Sequence, residues 1–276
     1  MKVITCVFIL TLTIPFAATA QTGNKVRAAG VLLEDLSWPE AEKLLRPDTV
    51  VVVPLGAAAK EHGPHLKLKN DWLIAEYLKN RILARSRVVI APTISYHFYP
   101  AFVEYPGSTS LRLEVARDLV VDICRSLSRF GPRRFYILNT GISTLRALKP
   151  TADLLATEGI VVHYTNLRDL EPVERTIRKQ EGGTHADEIE TSMMLYIAPA
   201  SVDMKKAVKD YHGNSVRGGL TRDPKGEGVY SPTGIWGDPT LATRAKGKIL
   251  IEALVAHMLG GIENLRKTPL PERAKP

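Results

Sequence analysis

Thr49-Val50-Val51-Val52-Val53-Pro54-Leu55-Gly56 leads into Glu61-His62-Gly63-Pro64-His65-Leu66-Lys67-Leu68-Lys69-Asn70-Asp71, and these two pieces read together decide the fold. The first is a continuous β-branched run bounded by turn residues, the pattern of a central strand covered on both faces. The second packs a carboxylate, two imidazoles and a second carboxylate into one loop stiffened by glycine and proline. Borderline and hard divalent metals prefer that ligand set. Its place at the end of a strand is where α/β proteins gather their ligands. A polar connection with surface histidines is the alternative, and two His with two acids weigh against it.

Outward from this stretch the chain alternates. Residues 71–85 carry a helical stripe of Leu73, Ile74, Tyr77, Leu78 and Ile82, which puts Asp71 at or just before a helix N-terminus. Upstream, Ser37-Trp38-Pro39-Glu40 reads as a helix start with a capping-box acid. Downstream, residues 88–96 form a second strand that ends in His97-Phe98-Tyr99-Pro100. An amphipathic helix over 111–130 stops at Gly131-Pro132. A strand over 135–139, a helix over 145–158 and a strand over 160–165 follow. Residues 166–183 read as irregular, 211–239 as loop and 247–265 as a final helix. The order predicts an α/β fold, a mostly parallel sheet with helices on both faces, in a single domain over residues 21–276.

At 276 residues, with 45% hydrophobic and 24% charged, the composition is that of a globular chain with one large core and excludes disorder, collagen and repeat arrays. Residues 1–20 are set apart: Lys2, an apolar run over 3–18, and Ala18-Thr19-Ala20 before Gln21 have the form of a signal peptide. The expectation is an exported protein, periplasmic or secreted, with no membrane attachment once the leader is removed. Cys6 falls in the leader, which leaves Cys124 as the one mature cysteine, without an intramolecular disulfide and on the apolar side of a helix. The formal charge of +8 is scattered, and its densest group, Arg129, Arg133 and Arg134, lacks interleaved aromatics. No nucleic-acid partner is expected.

Several stretches together carry a resemblance: Trp38-Pro39-Glu40, Pro54-Leu55-Gly56, His62-Gly63-Pro64-His65-Leu66 with Asp71, Tyr105-Pro106-Gly107, His185-Ala186-Asp187-Glu188-Ile189-Glu190-Thr191-Ser192, and Gly237-Asp238-Pro239-Thr240-Leu241-Ala242. In this order they resemble the creatininase (creatinine amidohydrolase) family. The resemblance implies a three-layer α/β/α sandwich, often assembled as a homo-hexamer, that binds two divalent metals and hydrolyses C–N bonds in cyclic or linear amides. His62 and Asp71 match the family's first ligand His and its bridging Asp. Two positions before His62, where the family has its ligand Glu, this chain has Lys60, and the acid stands at Glu61. The family's Asn-Gly-His-Gly-Gly-Asn loop reads Asn139-Thr140-Gly141-Ile142-Ser143-Thr144 here, so Gly141 replaces a ligand histidine. His97, at a neighbouring strand end, is the most economical replacement.

The reading that follows is a metal-dependent hydrolase of an amide or other C–N bond in a small molecule. Glu61, His62, Asp71, Glu190 and His97 are the expected ligands of one or two Zn²⁺ or Mn²⁺ ions. His185 or Glu188 is expected to carry the proton to the leaving nitrogen. His65 is expected to support the loop, and Thr140, Ser143 and residues 96–99 to shape the pocket. The rival is a secreted pseudoenzyme that keeps the fold and binds a ligand or partner without metal, with Lys60 and Gly141 in its favour. Against it stand His62, Asp71, His185 and Glu190, since burying unpaired ionisable groups is costly. A metal-free hydrolase using Ser143 or Ser192 lacks a nucleophile-elbow sequence.

Overall fold

A computed structural model describes residues 29–212 and 218–273; the leader expected over residues 1–20 lies outside them. In chain order the elements are β1 (Val31–Leu32), α1 (Trp38–Leu44), β2 (Val50–Leu55), α2 (Asn70–Arg85), β3 (Val89–Ile90), α3 (Leu113–Ser128), β4 (Arg134–Asn139), α4 (Leu145–Ala156), β5 (Val161–Tyr164), α5 (Glu171–Ile177), α6 (Glu188–Ile197), β6 (Leu220–Thr221), β7 (Val229–Tyr230) and α7 (Arg244–Lys267). The first five strands form one parallel sheet in the order β1-β3-β2-β4-β5. All six residues of β2 are buried. Fully burying each of its valines contributes about 1.5–3 kcal/mol relative to exposure, which is why a β-branched run this apolar takes the centre.

Alternation along the strands separates two cores. Val50, Val52, Ile90, Tyr136 and Leu138 face α2, α6 and α7 through Ile74, Leu78, Met194, Leu250 and Leu254. Val51, Val53, Val89, Phe135 and Ile137 face α3 and α4 through Val120, Val121, Leu148 and Leu155. The result is the expected three-layer α/β/α sandwich. The helix after β2 lies on one face and the helix after β4 on the other, so the crevice between their carboxyl ends is a topological switch point, where open α/β sheets bind ligands.

Departures from the expected elements have local causes. The second strand shortens to Val89–Ile90, because Pro92 has no N–H to donate, and pairing resumes only as a bridge between Leu55 and Ile94. The segment 166–183 contains α5, opened by Pro172 in its first turn. The stretch 211–239 contains β6 and β7, a two-stranded parallel pair. At Ser37 the expected acid is in place: the Glu40 carboxylate accepts the Ser37 N–H at 2.8 Å and its hydroxyl at 2.6 Å. Cys124 is free and buried in α3. No helix among the described residues is long and apolar enough to cross a membrane.

Candidate functional site

The loop after β2 turns back across the sheet and delivers Lys60, Glu61 and His62 against Asp71 in the first turn of α2. All four are buried. His62 presents Nδ1 to the Lys60 carbonyl at 3.0 Å, so that nitrogen carries the proton and donates. Its Nε2 then faces Asp71 Oδ1 at 2.8 Å. Two acceptors that close require a proton or a cation between them.

A second segment closes the site from above. His185 is held by backbone hydrogen bonds to Trp236 in both directions. It is followed by Ala186 in a left-handed conformation, φ 47°, a strained turn for a non-glycine residue. The turn lets Asp187 cap α6, accepting the N–H groups of Ile189 and Glu190, and lets Glu190 accept the Ala186 N–H at 2.7 Å. Nε2 of His185 lies 2.7 Å from Glu61 Oε1, and Nδ1 lies 3.6 Å from Glu190 Oε2. The rings of His62 and His185 are 5.0 Å apart. His62, His185 and Glu190 each offer a ligand atom within 4.8 Å of the others.

Charge organises these groups. Burial works against the His185 imidazolium, but Glu61 and Glu190 outweigh it and raise its pKa. Burial pushes the Glu61 carboxyl up, and His185 beside it brings it below its ordinary value. Burial also disfavours the Lys60 ammonium, yet Asp71, Glu190 and Glu61 hold it protonated, with its pKa raised. Asp71, resisted by burial and drawn down by Lys60 and His62, stays ionised well below the usual carboxylate range. Lys60 Nζ lies 2.8 Å from Asp71 Oδ2 as an ion pair, off the direction of a good hydrogen bond, so Oδ2 has no hydrogen-bond partner.

The expected residues are sorted by this geometry. His62, Asp71, Glu61, His185 and Glu190 come together. His185, expected to move a proton, stands with the ligand atoms instead, and Glu61 stands behind it. Asp71 pairs with His62 and Lys60 and lies outside the converging triad. His97 does not join them: its ring is wholly buried, near Tyr99 and the backbone of Ala116, with neither nitrogen hydrogen-bonded. It does not replace the imidazole missing at Gly141, because the irregular segment after β3 buries its ring away from the converging ligand atoms. Glu188 also points elsewhere. Two residues along α6 from Glu190 it faces the opposite side, accepts the N–H groups of Lys179 and Gln180, and pairs with Lys246. His65 hydrogen-bonds Thr191 at 2.8 Å.

The loop with Gly141 is closed on itself. Asn139 Nδ2 and the Thr144 hydroxyl both donate to the Gly141 carbonyl at 2.7 Å, and Gly141 N–H donates back to Asn139. It offers the triad no side chain. Two cavities open beside Glu190. One of about 340 Å³ is lined by Lys60, Phe102, Gly141, Ser143, His185 and Trp236. The other, about 460 Å³, has an apolar floor of Ile74, Met193, Leu250 and Leu254. Thr140, Ile142, Leu167, Arg168, Thr184 and Glu190 line both. Sequence reasoning missed Arg168 and Phe102, which carry no motif. It noted Lys60 as a departure without its partner, though a basic residue replacing an acid beside a buried Asp was a readable signal.

The donor set fits one divalent cation. Two imidazoles and a carboxylate converge, the partner of each histidine is an acid or a carbonyl, and such outer partners orient metal-binding histidines. Comparisons with known proteins agree in family and fold. The family model for creatininase, described as creatinine amidohydrolase, matches residues 34–261. A mycofactocin precursor peptide peptidase of Mycolicibacterium smegmatis is 29% identical, over 81% of this chain and 87% of its own length. A creatinine amidohydrolase of Pseudomonas putida is 25% identical, over 84% and 96%. A solved structure described as creatininase Mn superposes with a TM-score of 0.70 at 24% identity, over 85% of this chain and 98% of that one.

Proposed function

This chain belongs to the creatininase family, and from that premise we propose that it is a metal-dependent hydrolase of an amide or related C–N bond in a small molecule. The convergence of His62, His185 and Glu190 carries the reading. These three would hold a Zn²⁺ or Mn²⁺ ion, which when bound supplies Lewis acidity to acidify water and polarise a carbonyl. The chain's own groups do the rest. Glu61 receives a proton-bearing Nε2 from His185 and so fixes the ring with Nδ1 towards Glu190. For His62 the Lys60 carbonyl plays that part: it accepts Nδ1–H and leaves Nε2, beside Asp71, to face the ion. Of the three acids in the cluster, Glu190 is the one that lines both cavities, and it is the group placed to carry a proton to the leaving nitrogen. A substrate with its amide over the cluster and an apolar substituent on the Ile74–Met193–Leu250–Leu254 floor suits the two joined spaces. Export and a homo-oligomeric assembly belong to the same reading.

A second reading, a metal-free binding protein, draws on the Lys60–Asp71 pair, which compensates a buried carboxylate without an ion. One experiment decides between them. Chain purified without chelator is supplied with Zn²⁺ or Mn²⁺, its metal content measured, and turnover followed on lactams, cyclic ureides, formamides and short peptide amides. The hydrolase reading expects stoichiometric uptake, turnover abolished by chelation and restored by metal, and loss of both in His62→Ala. No uptake by the wild-type chain sinks it.

A further inference from the structure

We propose that the ammonium of Lys60 occupies the place of a second cation, so that this centre takes a single divalent ion; the proposal rests on the metal-dependent reading above. Three observations carry it. The first is position. Lys60 is 4% exposed, and its Nζ contacts Asp71 Oδ2 at 2.8 Å. The same atom sits 4.6 Å from the Phe102 ring centroid and 5.8 Å from that of Tyr99, a setting of aromatic faces that holds a cation in place. Its backbone N–H is tied to the Leu68 carbonyl at 3.1 Å. The ammonium is therefore held by a carboxylate and two aromatic rings, on a main chain fixed at Leu68.

The second observation is the count of charges. Glu61, Asp71 and Glu190 bring three carboxylates to the cluster, and Lys60 returns one positive charge. Asp187 next to them is compensated by the N–H groups at the start of α6. With His62 and His185 neutral, as metal-binding imidazoles must be, one divalent ion brings the cluster to neutrality. A second would leave an excess of two positive charges in a buried space, which is costly.

The third is the donor inventory. Among the described residues His62, His185 and Glu190 are the one group of three whose ligand atoms converge. Asp71 Oδ1 faces His62 Nε2, the nitrogen that would hold the first ion, and Oδ2 faces the Lys60 ammonium, so neither oxygen is left over for a second ion. Gly141 adds no side chain, and its loop is satisfied internally. A second ion has to displace a buried ammonium and finds no second set of ligands.

Stoichiometry tests this without reference to turnover. The wild-type chain is titrated with Mn²⁺ by calorimetry, its content measured by elemental analysis, and the loaded protein examined by electron paramagnetic resonance. The expected result is one equivalent and the spectrum of an isolated Mn²⁺. Lys60→Glu removes the ammonium and adds a carboxylate, and it is expected to take two equivalents with a spin-coupled spectrum. Two equivalents in the wild type overturn the proposal and leave the hydrolase reading standing. So does a Lys60→Glu protein with a wild-type thermal transition that still binds one. No uptake by either protein overturns the metal-dependent reading and the proposal together. Should the variant not fold, the wild-type stoichiometry and spectrum decide alone.

Discussion

His97 brings two ring nitrogens into the core and hydrogen-bonds neither. Burial drives its pKa down to about 4, against the ordinary 6.5, with the Ala116 backbone as the one opposing influence. The native state therefore keeps this ring neutral while the unfolded chain protonates it. Its stabilising share is full above pH 6.5 and is lost as pH falls from 6.5 towards 4, by about 3 kcal/mol for a shift of this size. Urea unfolding of the wild type should show its midpoint falling over that window. His97→Leu should flatten the slope and leave stability at pH 7 equal or higher, because a buried unsatisfied polar group is removed. The sequence placed His97 at a strand end beside the metal ligands, whereas β3 stops at Ile90 and His97 lies in the irregular segment beyond it, apart from His62, His185 and Glu190. Nothing in residue order tells which way a side chain turns there. His62 and Asp71 were legible because loop and helix start fix both directions. Lys60 was legible as a mismatch and became intelligible once Asp71, Phe102 and Tyr99 were seen around it.

Two glycines of α7 separate packing from helix propensity. A Cβ on Gly247 falls 1.8 Å from the Ser192 carbonyl oxygen of α6, whereas one on Gly260 meets nothing within 4 Å. Gly247→Ala should destabilise the protein by about 1–3 kcal/mol, since forcing α6 and α7 apart outweighs the gain in helix propensity. Gly260→Ala should stabilise it by about 0.5–1 kcal/mol. Opposite shifts of the unfolding midpoint check the pair, and a neutral Gly247→Ala contradicts the close packing. The long helices and β2 and β4 were legible because their periodicity spans several turns or a full buried run. α5 escaped because its seven residues sit among charges, Glu171, Glu174, Arg175 and Arg178, that pair along its own surface. β6 and β7 escaped because two residues make no period.

At the scale of the whole molecule, the loop after β2, the start of α2 and the start of α6 bring His62, Asp71, His185 and Glu190 together beside the loop that follows β4. We propose that the exported chain begins at Gln21 and assembles with copies of itself. Mass spectrometry of chain recovered after export, followed by light scattering, should give that start and a hexamer; a stable monomer contradicts the assembly. The strand order also has a consequence in time. β2 is complete at Leu55, but its two neighbours are β3 and β4, and one of its faces is covered by α7, which starts at Arg244. α2 follows at once to cover part of that face, but the cover is completed only when nearly the whole chain has been made. Long-range parallel pairing closes slowly and exposes such runs meanwhile. Lys60 and Asp71, only 11 residues apart, neutralise one another across the loop that follows this strand. The pair thus gives the Asp71 carboxylate, inside the folded scaffold, a compensating charge that comes from the chain itself.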